Sequence, residues 1–188
     1  MTREEYRKEL SQETDKFEAG QNCRLAIQKF FMMFPPKKEM LLNTSQLIDA
    51  LRPLIVKGVT QEWADSEWRI IDIDTVKDIR NYAWWKQDYP TGGISYEVNE
   101  SDCDDFAEFA RSLWALWWKK NCLMRCKGWI TYNGVNTAHA FDIVVAINEA
   151  GVPDVYLFDT EFNTEPVKLT SNKVTINATS WTITGARC

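Results

Sequence analysis

Three side chains have the types and the chain order of a nucleophile, a base and an orienting acid: Cys103, His139 and Asp159. Cys103 stands at the first turn of a helical pattern, where unpaired N–H groups and the helix dipole favour a thiolate, the sulfur species that attacks carbonyl carbon. His139 is the one histidine in 188 residues, so any step that needs imidazole must use it. It opens an apolar strand and shares a face with Phe141, Ile143, Val145 and Ile147. If that face packs on the Cys103 helix, the imidazole points towards the helix N-terminus. The following strand, DVYLFD, ends in Asp159, which can fix the imidazole tautomer and stabilise its cation. Asp142 falls on the opposite strand face by parity. Such a trio would perform acyl transfer, with Cys103 attacking an amide carbonyl and His139 protonating the leaving amine.

Asp102, Asp104 and Asp105 surround the cysteine. Negative charge there opposes the anion that attack requires. The three carboxylates suit the positive end of a helix as capping residues, and as clustered hard oxygens they are also candidate Ca²⁺ ligands. The Cys103 backbone N–H is a candidate oxyanion donor.

Helices must come first in the chain and strands after. Residues 3–18 are highly charged and read as a surface helix, and residues 23–34 as a packed helix ended by Pro35-Pro36. Asn43 or Thr44 can cap a helix through Leu47, Ile48, Leu51 and Leu54. Trp68–Ile73 reads as a short strand, and Asp74 as the cap of a helix through Val76, Ile79 and Tyr82. The segment 89–93 is a turn or loop. Residues 102–120 give the clearest helix, because Phe106, Phe109, Ala110, Leu113, Trp114 and Trp117 recur at helical spacing. Strands follow at Gly128–Tyr132, Ala138–Ile147, Asp154–Asp159, Val174–Ala178 and Ser180–Thr184, with Asn133-Gly134 as a hairpin turn. The expected layout is a single α+β domain over 1–188, with a mainly helical region at 1–98 and a helix packed on an antiparallel sheet at 99–188.

The stretches Asp102-Cys103-Asp104-Asp105-Phe106-Ala107, Arg125-Cys126-Lys127-Gly128-Trp129, His139-Ala140-Phe141 and Leu157-Phe158-Asp159 together resemble the transglutaminase-like cysteine enzymes, which share a papain-like core. The resemblance covers residues 99–163. It implies Cys103 as nucleophile, His139 as general base and acid, and Asp159 as third member. The Asp-Cys-Asp-Asp-Phe-Ala run is also similar to the calcium-dependent cysteine-protease domain of mushroom lectins, which makes Glu161 a rival to Asp159. Relatives of this kind take an oxyanion donor from an upstream Gln or Trp side chain, and Trp84, Trp85, Gln87 and Asn99 are all available, with Gln87 and Trp85 the named candidates.

Composition narrows the classes. Hydrophobic residues make up 45% and charged residues 26%, as in a folded domain, and the net charge of −5 without a basic stripe disfavours nucleic acid. No apolar run has the length of a membrane span, and no secretory signal is visible at the start. Five cysteines (Cys23, Cys103, Cys122, Cys126 and Cys188) without regular spacing suggest reduced thiols in a cytoplasmic setting. Most of the nine tryptophans should line core or groove. The sequence expectation is therefore a thiol-dependent hydrolase or acyltransferase acting on a protein or peptide substrate. The alternatives are a crosslinking transglutaminase, a cell-wall amidopeptidase or a catalytically silent binding module.

Overall fold

The computed structural model describes residues 35–62, 65–82, 120–159 and 165–187, and between them positions 103, 107, 108, 110, 111 and 114. The helices expected at 3–18 and 23–34, the loop at 89–93, and Cys23 and Cys188 lie outside the described residues.

Strand β1 (Glu39–Asn43) leads directly into helix α1 (Thr44–Ala50). Asn43 caps it with its side chain, accepting from the Gln46 N–H at 3.0 Å, while Gln46 Oε1 accepts from the Asn43 N–H at 3.0 Å. This reciprocal pair satisfies two otherwise orphaned donors. Leu47, Leu51 and Leu54 are buried at helical spacing, and Pro53 sits in the first turn of the short helix α2 (Arg52–Ile55), where no N–H is missed. β1 pairs antiparallel with β3 (Glu67–Ile71), placing Leu42 opposite Trp68, both fully buried. Helix α3 (Ile73–Tyr82) follows, capped by Asp72 rather than Asp74. Asp72 Oδ1 accepts from the Thr75 N–H at 3.0 Å, because Thr75 occupies the third helical position. Asp74 instead forms an exposed ion pair with Lys37 at 3.0 Å.

The larger sheet has the order β2-β9-β4-β5-β6-β7, with β8 on the same edge of β9 as β2. Its strands are β2 (Thr60–Glu62), β4 (Leu123–Tyr132), β5 (Val135–Ile147), β6 (Pro153–Phe158), β7 (Val167–Lys168), β8 (Lys173–Ile176) and β9 (Thr179–Arg187). All pairs are antiparallel except β2 with β9. The β4–β5 hairpin turns on Asn133 and Gly134 at φ 50° and 77°, the left-handed pair that a two-residue turn demands.

Two features of β9 set the register. Gly128 approaches β9 so closely that a Cβ there would lie 1.9 Å from the Thr182 carbonyl oxygen, so only glycine fits. Beside it the β4–β9 register slips, Lys127 pairing with Gly185 and Gly128 with Ile183, which leaves Thr184 as the extra residue of a bulge. The bulge resets alternation, so Trp181 and Ile183 before it and Ala186 after it are all buried.

The α+β expectation is corrected. Among the described residues nine strands dominate over a few helices, and the body of the molecule is a curled, mostly antiparallel sheet rather than a papain-like or transglutaminase-like core. The region 1–98, read as mainly helical, contributes β1, β2 and β3 from its described part. β3 falls where the short strand at Trp68–Ile73 was expected, whereas β1 and β2, five and three residues long, are too short for alternation to separate them from loop. The later strands fall where alternation places them, with shifted ends.

Between β8 and β9, Asn177 and Ala178 hold φ 48° and 66°. An alanine in that region is strained where glycine is free. Ala178→Gly is expected to stabilise the domain by about 1 kcal/mol, less any unfolded-state entropy cost, read as a higher urea midpoint with unchanged slope.

Candidate functional site

Strand β5 is buried on both faces from Phe141 onwards, so it carries two separate environments back to back. On one face stand His139, Phe141 and Ile143; on the other, Ala140, Asp142 and Val144.

His139 and Asp159 meet on the first face. The imidazole Nε2 lies 2.9 Å from Asp159 Oδ2, and the rings of His139 and Phe141 stack at 5.6 Å and 25°. The same Asp159 oxygen accepts from the Trp181 indole N–H at 2.7 Å. His139 is 6% exposed, Asp159 1% and Trp181 2%, so both donors meet the carboxylate away from water. Donation to Asp159 places the imidazole proton on Nε2. Trp181 is the partner that sequence reasoning missed, although its alternation with Ile183 already marked it as facing the core.

Cys103 reaches the same strand by a different route. β6 covers β5 only from the pair Asp142–Phe158 onwards, so the preceding stretch of β5 has an open side. In a two-residue hairpin the closing pair Tyr132–Val135 exchanges hydrogen bonds, so Asn136, Ala138 and Ala140 direct theirs to that open side. There the Ala140 N–H donates to Cys103 Sγ at 3.3 Å. Cys103 is half-buried and helical, and the described positions 107, 108, 110, 111 and 114 continue the helix, with Ala107, Ala110 and Trp114 buried. The structure thus brings Cys103 to within one residue of His139 along β5, with Asp159 bonded to the imidazole.

The Cys103 helix does not cover the His139 face as expected. Trp114 packs edge-on against Phe158 at 5.6 Å and 84°, and Glu108 lies 3.8 Å from Arg125. Phe158 and Arg125 are the two cross-strand partners of Asp142, so the helix lies on the Asp142 face. Parity separates the two faces correctly, but it cannot say which one a helix takes when both are buried. Of the other expected site residues, Glu161, Trp84, Trp85, Gln87, Asn99, Asp102, Asp104 and Asp105 lie outside the described residues. Among the described residues no group of three acidic, His or Cys side chains could hold a metal ion. Cys122 and Cys126 are buried and form no disulfide among the described residues.

Asp142 is fully buried, and neither carboxylate oxygen has a hydrogen-bond partner among the described residues. Burial pushes its pKa well above the usual value, Asp159 and Glu108 push it further, and Arg111 and Arg125 pull it back. The native state therefore binds a proton that the unfolded chain releases, and stability falls as pH rises from the unfolded Asp value, about 3.9, through the raised native one. Asp142→Asn, neutral at every pH, is expected to raise Tm at pH 8, with the gain vanishing towards pH 4; a constant difference across that range would contradict it. Asp159→Ala leaves two buried N–H donors without their acceptor. It is expected to cost roughly 2–4 kcal/mol in urea unfolding, more than His139→Ala, which leaves the Trp181 bond in place.

A third feature is on the surface. Trp129 is 47% exposed on β4, opposite Ala138 of β5 and Thr182 of β9. The same solvated face carries Lys127 and Thr131, Asn136 of β5, Ser180 of β9, and Lys173 and Thr175 of β8. Thr131 Oγ1 donates to Asn136 Oδ1 at 3.1 Å, and the Thr175 and Ser180 hydroxyls are 2.7 Å apart. The alternation in Lys127-Gly128-Trp129-Ile130-Thr131 was the signal for an outward Trp129, against the expectation that tryptophans line the core or a groove.

No family model matches the chain, and no curated protein does. Solved structures do. The PSL1a–E64 complex matches with a TM-score of 0.54 at 14% identity, over 79% of this chain and 50% of that one. Polyporus squamosus lectin bound to the human-type influenza-binding epitope Neu5Acα2-6Galβ1-4GlcNAc matches with a TM-score of 0.50 at 14% identity, over 79% of this chain and 49% of that one. The chain thus spans about half the length of the structures it resembles, and at this identity the likeness is one of fold. No described helix is long and apolar enough to cross a membrane. The resemblance to transglutaminase-like and papain-like cysteine enzymes is overturned by these neighbours, which are lectin complexes. With it go the readings of a thiol-dependent hydrolase or acyltransferase, of a cysteine protease, and of an enzyme at all. What the comparison leaves is a lectin-like fold.

Proposed function

We propose that this chain is a carbohydrate-binding module whose contact surface is the solvated face of β8, β9, β4 and β5 around Trp129. The observation that carries this reading is Trp129 itself, an indole held half-exposed on a rigid sheet and ringed by Thr182, Ser180, Thr131 and Asn136. An indole face offers apolar area to the C–H face of a pyranose, while short hydroxyl and amide side chains exchange hydrogen bonds with sugar hydroxyls. The resemblance in fold to a lectin seen with a sialylated trisaccharide supports the same class of ligand.

In this reading Cys103, His139 and Asp159 act as a buried brace. The carboxylate ties β5 to β9 from the core side, beneath the strands whose outer face presents Trp129. Half-buried Cys103 sits at the β5 edge, where its sulfur accepts from the Ala140 N–H. This corresponds to the silent binding module among the alternatives, with a glycan in place of a peptide.

Saturation-transfer NMR and calorimetry with Galβ1-4GlcNAc and its sialylated form test the proposal. Binding by the intact chain is expected, with a loss of tenfold or more in Trp129→Ala, since about 1.4 kcal/mol of stacking corresponds to a factor of ten. A wild-type chain that binds neither glycan, or a folded Trp129→Ala variant that binds as well as wild type, would refute it.

A further inference from the structure

We infer that Asp142 is a proton-operated latch between the sheet and the helix that carries Cys103. With the proton in place the helix start is seated on the β5 edge; without it the seat loosens and the Ala140 N–H loses its sulfur acceptor.

The contact is built around an orphan. Asp142 has no exposure, and neither of its oxygens has a hydrogen-bond partner among the described residues. Arg125 stands opposite it on β4 and Phe158 opposite it on β6, so one flank is cationic and the other apolar. Glu108 and Arg111 act on it from the helix, and Asp159 from beyond the end of β6. The Asp159 carboxylate is itself engaged by His139 and Trp181. Among the described residues these are the charged and titratable groups set against Asp142.

The two guanidinium groups that could neutralise an ionised Asp142 are committed elsewhere. Arg111 donates to Glu108 twice, from Nη2 to Oε1 at 2.6 Å and from Nε to Oε2 at 3.4 Å. Arg125 Nη1 lies 3.8 Å from the same Oε2, an ion pair that ties the helix to β4. A charge on Asp142 has two remedies. It draws a guanidinium inward, away from Glu108, or it admits water by lifting the helix. Both undo the same contact.

Linkage gives the direction. Burial first, then the charges of Asp159 and Glu108, hold the proton on Asp142 well above the usual carboxylate range. With the helix lifted, water reaches the carboxyl and it ionises near the ordinary value of about 3.9. The seated form thus binds the proton more tightly. Its opening constant grows by up to about tenfold per pH unit above that value and levels off beyond the raised one.

Position makes the proton matter beyond the contact. Ala140 is the next residue on this face of β5, on the stretch that β6 leaves uncovered, and its N–H donates to Cys103 Sγ at 3.3 Å. Ala138 follows, beside Trp129. Latch and indole therefore share one face of the sheet, with the Cys103 seat between them.

The test is native-state hydrogen exchange on the full chain between about pH 4 and pH 8, corrected for intrinsic rates. The Ala140 amide is expected to be about tenfold or more less protected than that of Val145, which donates to the Cys122 carbonyl at 3.0 Å in the core. Its protection should fall with pH by up to about tenfold per unit, and the fall should vanish in Asp142→Asn. Glu108→Gln removes a charge that holds the proton and leaves Arg111 and Arg125 without that acceptor, so there the fall should end at a lower pH. This second variant keeps the test decisive if Asp142→Asn does not fold. Protection of Ala140 equal to that of Val145, or independent of pH in the wild type, would overturn the inference. So would a fall that persists in Asp142→Asn or ends at an unchanged pH in Glu108→Gln.

Discussion

One carboxylate oxygen holds the centre of this structure together. Asp159 stands just past the end of β6, its imidazole donor sits on β5 and its indole donor on β9. A single acceptor thus ties two strands of the sheet, which β4 separates, to the exit of a third. In a site almost without solvent, both N–H groups would lose their hydration on folding and have little to replace it, so the position tolerates few other side chains. The paths of β5, β6 and β9 are mutually fixed by that requirement, and with them the spacing of everything on the outer face.

Much of this was readable from residue types, and the failures have identifiable causes. The pairing of His139 with Asp159 followed from parity and strand order, because each strand is long enough for alternation to fix its faces. The side taken by the Cys103 helix did not follow, because β5 is buried on both faces from Phe141 onwards and neither is marked as facing solvent. Trp181 was missed as the second donor because Ser180–Thr184 was read only as a short strand, without a partner for its core face across the sheet. The cap of α3 was misplaced by two residues because Asp72 and Asp74 are equally good caps by type, and the end of β3 decides between them. The enzymatic reading failed at a different level. It moved from the local order of three side chains to a family, and fold comparison does not support that step.

The two faces of β5 answer opposite constraints. The inner one gathers His139 and Asp159, whose carboxylate is satisfied twice. The outer one spreads small hydroxyl and amide groups around a single large ring. A binding surface built in this way is as rigid as the sheet beneath it, so little ordering cost is expected on association.

The parallel pairing of β2 with β9 brings in the dimension of time. Thr60 Oγ1 reaches the Thr184 carbonyl at 3.4 Å across 124 residues of chain, while the β4–β5 hairpin closes over a two-residue turn. Loop-closure entropy and contact order therefore rank the hairpin among the first elements to assemble and the β2–β9 seam among the last. Until that seam forms, the edge of β9 next to Gly185 is an unpaired template, and the nascent chain is most vulnerable there to pairing with a neighbour.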